Sequence, residues 1–339
     1  MVRPTADIVD PHDSRRDMGD RMTEASFSPS PGPWAIVLAG GDGSRLRPLV
    51  DRLYADGRPK QFASLLGSRS LLRATLDRVA GLAPANRTVV LTLERHRALA
   101  SAELGSHAYW ILEQPTNRGT AAAILWAAMC VELREPGATV LVVPSDHHLV
   151  GDRAVAEQLL ALAALCRSDS DRVFLLAARP TRPEPSYGWI EPGDVIGAVG
   201  ARPVRTVRRF VEKPTPEAAQ AMLLKGWLWS TLIVVGRSAT LATLGRHHLP
   251  WVHRPLERAI RAAGRRGWEA ELRRAYVAIR QADFSRDLLE LAPERLGVAI
   301  LPDLEWSDLG TPERVMDAVW SSGRVPAWAS FVHQSTRSS

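Results

Sequence analysis

Six short segments of this chain hold the residues best able to do chemistry. The most informative is Leu38-Ala-Gly-Gly-Asp-Gly-Ser-Arg-Leu-Arg-Pro-Leu49. Three glycines fall within four residues at the end of an apolar run. Glycine lets a backbone come close to an anion and leaves N–H groups free to point at it. Ser44 and Arg45 close the turn, and Arg45 and Arg47 are placed to neutralise phosphate charge. The segment is not a Walker loop, because no Gly-Lys-Ser/Thr follows, and it lacks the third glycine of the dinucleotide fingerprint. The plainer alternative is a tight strand-to-helix turn with no ligand.

The other five segments are weaker alone. Arg58-Pro-Lys-Gln-Phe62 fixes a cation, Lys60, within reach of the same phosphates. Lysine is rare here: Lys60, Lys213 and Lys225 stand against forty arginines, and two of the three fall inside these motifs. Lysine offers a compact point charge where arginine offers a planar fork. Glu113-Gln-Pro-Thr-Asn-Arg-Gly-Thr-Ala-Ala-Ala123 offers Gln114 and backbone groups to a base edge; a cap by Asn117 or Thr120 is the alternative. Pro144-Ser-Asp-His-His148 sets Asp146 at the end of an apolar run, a good position for a hard divalent cation. His147 and His148 are adjacent, so on a strand they face opposite ways and do not form a ligand pair. In Phe210-Val-Glu-Lys-Pro214, preceded at a distance by Tyr187-Gly188, a strand would send Glu212 and Lys213 to opposite faces. Trp306-Ser-Asp-Leu-Gly310 carries Asp308 in a turn. Asp146 and Asp308 together suit one Mg²⁺ shared with substrate phosphates and water.

The elements between these segments must bring them together. Apolar runs at 34–39, 87–93, 139–143 and 173–178 read as buried parallel strands, separated by helical stretches at 71–80, 121–133 and 154–165. The alternation predicts an α/β fold: a Rossmann-like, mainly parallel mixed sheet flanked by helices. Ligands of such sheets bind beyond the carboxyl ends of the strands, where the glycine loop and Asp146 fall. Beyond residue 180 the pattern changes to strands at 187–191 and 204–212, then a helix at 216–225 with Thr215 as N-cap and Pro216 in first position. A strand at 232–235, a mostly helical 237–295 and a last strand at 298–301 complete the reading. The expected organisation is an extension without order at 1–32, a catalytic unit at 33–314 and a helix and tail at 315–339.

Composition narrows the class. Apolar residues make up 45% and charged residues 24% of 339 residues, ordinary for a globular chain. The net charge of +6 is spread along the chain without a basic block. Nucleic-acid binding would call for a clustered basic stripe. No run of about 18 apolar residues occurs, and the N-terminal stretch has no apolar signal region, so neither a membrane span nor secretion is expected. The two cysteines, Cys130 and Cys166, lie in apolar runs and read as reduced core thiols of a cytoplasmic protein.

Taken together, in this order and spacing, the six segments resemble the sugar-1-phosphate nucleotidyltransferases, and within them the mannose-1-phosphate guanylyltransferases. The resemblance runs from Trp34 to Arg314. It implies a nucleotide-diphospho-sugar transferase fold and a reaction in which GTP and mannose 1-phosphate give a nucleotide sugar and pyrophosphate, with Mg²⁺ as cofactor and a homodimer as the assembly. It implies that Leu38, Ala39, Gly40, Gly41, Gly43 and Ser44 hold the nucleotide, with Gln114, Gly119 and Thr120 near the base. Arg45, Lys60 and Lys213 would act on phosphate charge, Gly188, Glu212 and Ser230 would face the sugar, and Asp146 and Asp308 would bind metal. The isomerase domain fused to some longer relatives is expected to be absent.

The chain departs from the family pattern twice. Trp229-Ser230-Thr231-Leu232 stands where the family carries Trp-Asn-Ser/Thr-Gly, and Ser230 is too short to reach where the asparagine does. Arg118-Gly119-Thr120-Ala121-Ala122 stands for Arg-Asn/Asp-Thr-Ala-Pro. These changes bear on the identity of sugar and base and leave two alternatives: a pyrophosphorylase for another pair, or a non-catalytic binding paralogue. A nicotinamide-dependent dehydrogenase fits poorly, because the glycine fingerprint fails.

Overall fold

The structure, a computed structural model, describes residues 32–302, 305–323, 326 and 328–329. The expected N-terminal extension and most of the tail lie outside the described residues. Within the described residues run the strands β1 (Trp34–Leu38), β2 (Thr88–Leu93), β3 (Trp110–Gln114), β4 (Thr139–Pro144), β5 (His148–Leu149), β6 (Val173–Ala178), β7 (Gly188–Val199), β8 (Arg202–Glu212), β9 (Leu228–Arg237), β10 (Leu296–Ile300) and β11 (Trp306–Ser307). The helices are α1 (Arg47–Leu53), α2 (Leu71–Val79), α3 (Arg97–Leu104), α4 (Gly119–Arg134), α5 (Asp152–Ser168), α6 (Pro216–Leu224), α7 (Ser238–His248), α8 (Pro250–Arg261), α9 (Trp268–Ala278) and α10 (Pro312–Ser321).

Nine strands make one sheet in the order β3-β2-β1-β4-β9-β6-β10-β8-β7. Strands β1 to β4 are mutually parallel where they pair, as are β6 and β10; β9 runs antiparallel between β4 and β6. This is the predicted mixed, mainly parallel sheet. The hairpin β7–β8 returns from β10 to β9, where Trp189 pairs with Trp229, so five strands close on themselves. The short pair β5–β11 links the segment after Asp146 to the one before Asp308.

The central strands read as unbroken apolar runs because helices cover both faces. All six residues of β2 and of β6 are buried. Helix α4 lies almost wholly within the core, and its run of alanines lets it sit close to the sheet. On the other face pack α2 and α5, with Leu72, Leu76, Leu159 and Leu162. A third, smaller cluster joins Leu46, Leu49, Leu65, Leu309, Val315 and Val319. It locks the segment after the glycine loop to the turn holding Asp308 and to α10.

Helix α6 begins as predicted, with Thr215 Oγ1 accepting from Ala218 N at 3.2 Å. Strand β3 escapes the periodicity: it is a five-residue edge strand, only partly buried, bonded to β2 alone among the described strands. The 237–295 stretch holds three helices and then a single π-helical turn, Ser285–Leu289.

Candidate active site

The glycine loop leaves β1 and is held from inside the protein. Gln61, 1% exposed, donates Nε2 to the carbonyls of Ala39 (3.0 Å) and Gly41 (2.8 Å). With those carbonyls engaged, the N–H groups of Gly40, Gly41, Asp42 and Gly43 have no acceptor among the described residues. They form a concavity suited to an anion. Two glycines are required by their surroundings. A Cβ on Gly40 would lie 2.8 Å from Gln114 Nε2, and Gly43, at φ +60°, has Lys60 N 3.0 Å from where its Cβ would be. Gln61 lies inside the Pro-Lys-Gln-Phe segment, yet the sequence reading assigns it no role; an amide set beside a glycine loop is the signal that could have found it.

Lys60 lies beneath this loop, 6% exposed. Its ammonium donates to the Asp308 carbonyl at 2.7 Å and pairs with Asp146 Oδ2 at 3.1 Å. Asp146 follows β4, whose end is fixed by Ser145 Oγ donating to the Leu38 carbonyl at 2.6 Å. Burial alone would raise the Asp146 carboxyl, but Lys60, helped by His147, outweighs it and holds the group below its ordinary value.

Asp308 is the most heavily bonded carboxylate of the site. Its Oδ1 accepts from Tyr187 Oη (2.9 Å), Gly310 N (2.9 Å) and Arg314 Nη1 (2.8 Å), and its Oδ2 from Arg45 Nη2 (3.2 Å). Arg314, from α10, also pairs with Glu184 and stacks its guanidinium over the Tyr187 ring. Burial works against Asp308, yet the cations around it hold its pKa at about 2.

Among the described residues no three His, Cys, Asp or Glu side chains cluster into a metal cage. A two-carboxylate set is what the geometry offers. Asp146 Oδ2 is tied to Lys60, while its Oδ1 meets only His147 Nε2, at 3.7 Å, among the described residues. Asp308 Oδ1 is saturated, while Oδ2 carries only a half-exposed arginine. Each carboxylate thus keeps one oxygen for a cation. That fits a hard ion which draws its remaining ligands from phosphates and water.

The residues expected to face a sugar form a second group. Gly188 pairs with Glu212, and a Cβ there would strike Glu212 Oε2 at 2.6 Å and Phe210 Cζ at 2.9 Å. Burial pushes the Glu212 carboxyl up, against the opposing charge of Lys213. The expectation that Glu212 and Lys213 face apart is corrected. Strand β8 ends at Glu212, and Lys213 turns left-handed (φ 53°), which brings Nζ back to Glu212 Oε1 at 3.0 Å. Ser230 lies opposite Ala177 where the β6–β9 register slips, and Leu232 in the same irregularity has φ 57°. A leucine therefore occupies a backbone conformation that suits glycine.

On the base side, Gln114 is 2% exposed, with Oε1 accepting from Tyr276 Oη at 3.2 Å. Gly119 has φ +87°, and the Ala282 carbonyl oxygen lies 2.1 Å from where its Cβ would be. No other residue fits that position. Asn117 Oδ1 accepts from Gly119 N, and Thr120 Oγ1 accepts from Phe284 N. Asn117 thus bonds the first N–H of α4, as the capping alternative expects, although the N-cap position itself is Arg118; Thr120 lies within the helix and anchors Phe284 instead. The phosphate-side residues Arg45, Lys60, Asp146 and Asp308 meet directly. Gly188, Glu212 and Lys213 join them through Tyr187, which precedes Gly188 and donates to Asp308.

This combination of a glycine loop, two strand-end aspartates and a curled hairpin defines a class, and comparison with known proteins agrees. The chain belongs to the nucleotidyl transferase family, whose model matches residues 34–321. It is 31% identical over 307 residues to the xanthan biosynthesis protein XanB of Xanthomonas campestris pv. campestris (strain B100), covering 85% of this chain and 60% of that protein. It is 31% identical over 309 residues to a mannose-1-phosphate guanylyltransferase of Sinorhizobium fredii, covering 84% and 54%. Among solved structures it is similar to a protein of Thermus thermophilus named as a mannose-1-phosphate geranyltransferase, with TM-score 0.69, 33% identity and coverage of 82% and 76%. The chain thus spans little more than half the length of the curated relatives.

Proposed function

We propose that this chain transfers a guanylyl group from GTP to mannose 1-phosphate, forming a nucleotide sugar and releasing pyrophosphate. The observation that carries the reading is the meeting of Lys60, Asp146 and Asp308 beneath a glycine loop with unpaired N–H groups. The name of a relative at 31% identity, a mannose-1-phosphate guanylyltransferase, supports the choice of sugar and base.

Residues 33–314 form the catalytic unit in this reading. Leu38, Ala39, Gly40, Gly41, Gly43 and Ser44 cradle the triphosphate, and Arg45 neutralises it from the rim. Gln114, Gly119 and Thr120 shape the base side from within, by fixing the loop and the start of α4. Gly188 leaves room beside Glu212, which accepts from sugar hydroxyls together with Ser230. Lys213 meets the sugar phosphate. The attacking phosphate oxygen is already ionised, so catalysis is positioning and charge neutralisation and needs no general base. Asp146 and Asp308 would hold a divalent ion, Mg²⁺, which when bound offsets the phosphate charge. Lys60 sets Asp146 and adds positive charge under the loop. The protein works on small phosphorylated substrates in the cytoplasm as a homodimer.

The test is pyrophosphate release with Mg²⁺ over a grid of sugar 1-phosphates against five nucleoside triphosphates. Highest release with mannose 1-phosphate and GTP supports the proposal. Release with another pair keeps the reaction class and moves the specificity, as the changes at Ser230 and Gly119 would allow. No release from folded protein that binds GTP sinks the catalytic reading in favour of a binding protein.

A further inference from the structure

A second cavity, of about 450 Å³, opens beyond the carboxyl ends of β6 and β10. It is lined by Tyr187, Trp229 and Trp306, by the cations Arg179, Arg182 and Arg314, and by the carboxylates Glu305 and Asp317. It is separate from the sugar-facing group. Tyr187 and Trp229 belong to the sheet face that packs against α5, with Trp306 against it. Gly188 and Glu212 crowd Phe210, which belongs to the opposite core. The Tyr187 ring meets Trp229 and Trp306 edge-on at 5.1 Å each, which makes a continuous aromatic wall. The indole N–H groups of Trp229 and Trp306 are buried with no acceptor among the described residues. Arg182 lies 5.7 Å over Trp229 and makes a long 3.4 Å contact to Glu184.

We infer that this cavity is a second binding site, for a monophosphorylated ring compound. The aromatic wall suits the face of a base or the C–H face of a sugar. Three guanidinium groups against two carboxylates leave an excess of positive charge that suits the phosphate. The site is coupled to the active site by contact, because Tyr187 and Arg314 line it and both donate to Asp308 Oδ1, while Asp308 Oδ2 faces Arg45. A ligand that draws on Arg314 or shifts Tyr187 changes the charge and position of a carboxylate in the reaction centre. The existence of the cavity does not depend on the reaction proposed above; the effect on turnover does.

Titration calorimetry with GMP and, separately, with mannose 1-phosphate tests this on the full chain. Each is run against wild type and Arg182→Glu, a half-exposed side chain outside the active site. For at least one ligand, wild type should show a second binding event that Arg182→Glu weakens at least tenfold, while the first event is unchanged. GMP alone giving that event identifies a base on the aromatic wall, and mannose 1-phosphate alone a sugar. A second event untouched by Arg182→Glu, or a single event with both ligands, overturns the inference. Pyrophosphate release from GTP, measured without GMP and at mannose 1-phosphate concentrations below those of any second event, should be equal in the two proteins. Failure of turnover in both would count against the proposed reaction and not against the site.

Discussion

The two halves of the candidate site are built differently. On the phosphate side the charged groups are paired with partners distant in sequence. Lys60 bonds the Asp308 carbonyl, Arg45 pairs with Asp308 and Arg314 reaches back to Glu184, while the amide of Gln61 ties two loop carbonyls. On the sugar side the key pair, Glu212 and Lys213, is adjacent in sequence. Among the described residues, two of the three non-glycine residues with positive φ, Lys213 and Leu232, fall there. A site for phosphate must hold fixed charge in place before the ligand arrives. A site for a sugar reads hydroxyl patterns and tolerates exchange of side chains. Of the two departures from the family pattern, that at Ser230 and Leu232 falls in this second half, and that at Gly119 on the base side.

Breaking the phosphate half should have the largest effect. Arg314→Ala removes the cation shared by buried Asp308 and partly buried Glu184, leaving among the described residues only the longer ion pairs to Arg45 and Arg182, and should lower unfolding free energy by ~3–5 kcal/mol in urea titrations. Loss below ~1 kcal/mol would mean that this triad does not hold the half together. Lys60→Ala or Asp146→Ala should cut kcat by ~10²–10³, about 3–4 kcal/mol of barrier, with an unchanged circular dichroism spectrum. Near-normal turnover in either would remove that residue from the reaction. Gly119→Ala places a methyl group against the Ala282 carbonyl at an unfavourable φ, and should cost ~2 kcal/mol or more. A neutral result would show that α4 can shift at its start.

The sugar half should respond least. Leu232→Gly relieves a left-handed leucine while losing packing, so we expect a net change under ~1 kcal/mol. Leucine to glycine in a regular strand costs several times more. A cost above ~3 kcal/mol at Leu232 would show that its side chain matters more than its backbone, and would erase the contrast between the halves.

Much of this is legible in the sequence, for reasons specific to each element. Strands β1, β2, β4 and β6 are buried on both faces, so their apolar runs are unambiguous. Strand β3 is not legible, because an edge strand with exposed side chains carries no such run. The glycine loop can be read from its spacing as a turn with backbone N–H groups to offer. That Gly40 makes room for Gln114, and Gly43 for Lys60, cannot be read, since those contacts join segments far apart in the chain. The reversal at Lys213 escapes a reading by residue type, because a left-handed lysine leaves no mark there. Asp308 stands out by its motif, but its partner Arg314 sits in the first turn of a helix and looks like any of forty arginines.

The order of strands in the sheet has a consequence for how the chain is made. Strand β9, between β4 and β6, and β10, between β6 and β8, are the last two strands of the sheet to be synthesised. At roughly 5–20 residues per second, several seconds separate the emergence of β4, ending at Pro144, from that of β9, starting at Leu228. During that interval β4 presents one unpaired apolar edge, and β6, once made, two, which nothing yet synthesised can fill. A nascent chain of this protein is therefore a natural client for a holding chaperone, and any fragment that stops short of Leu228 carries the aggregation hazard of an open sheet without the means to close it.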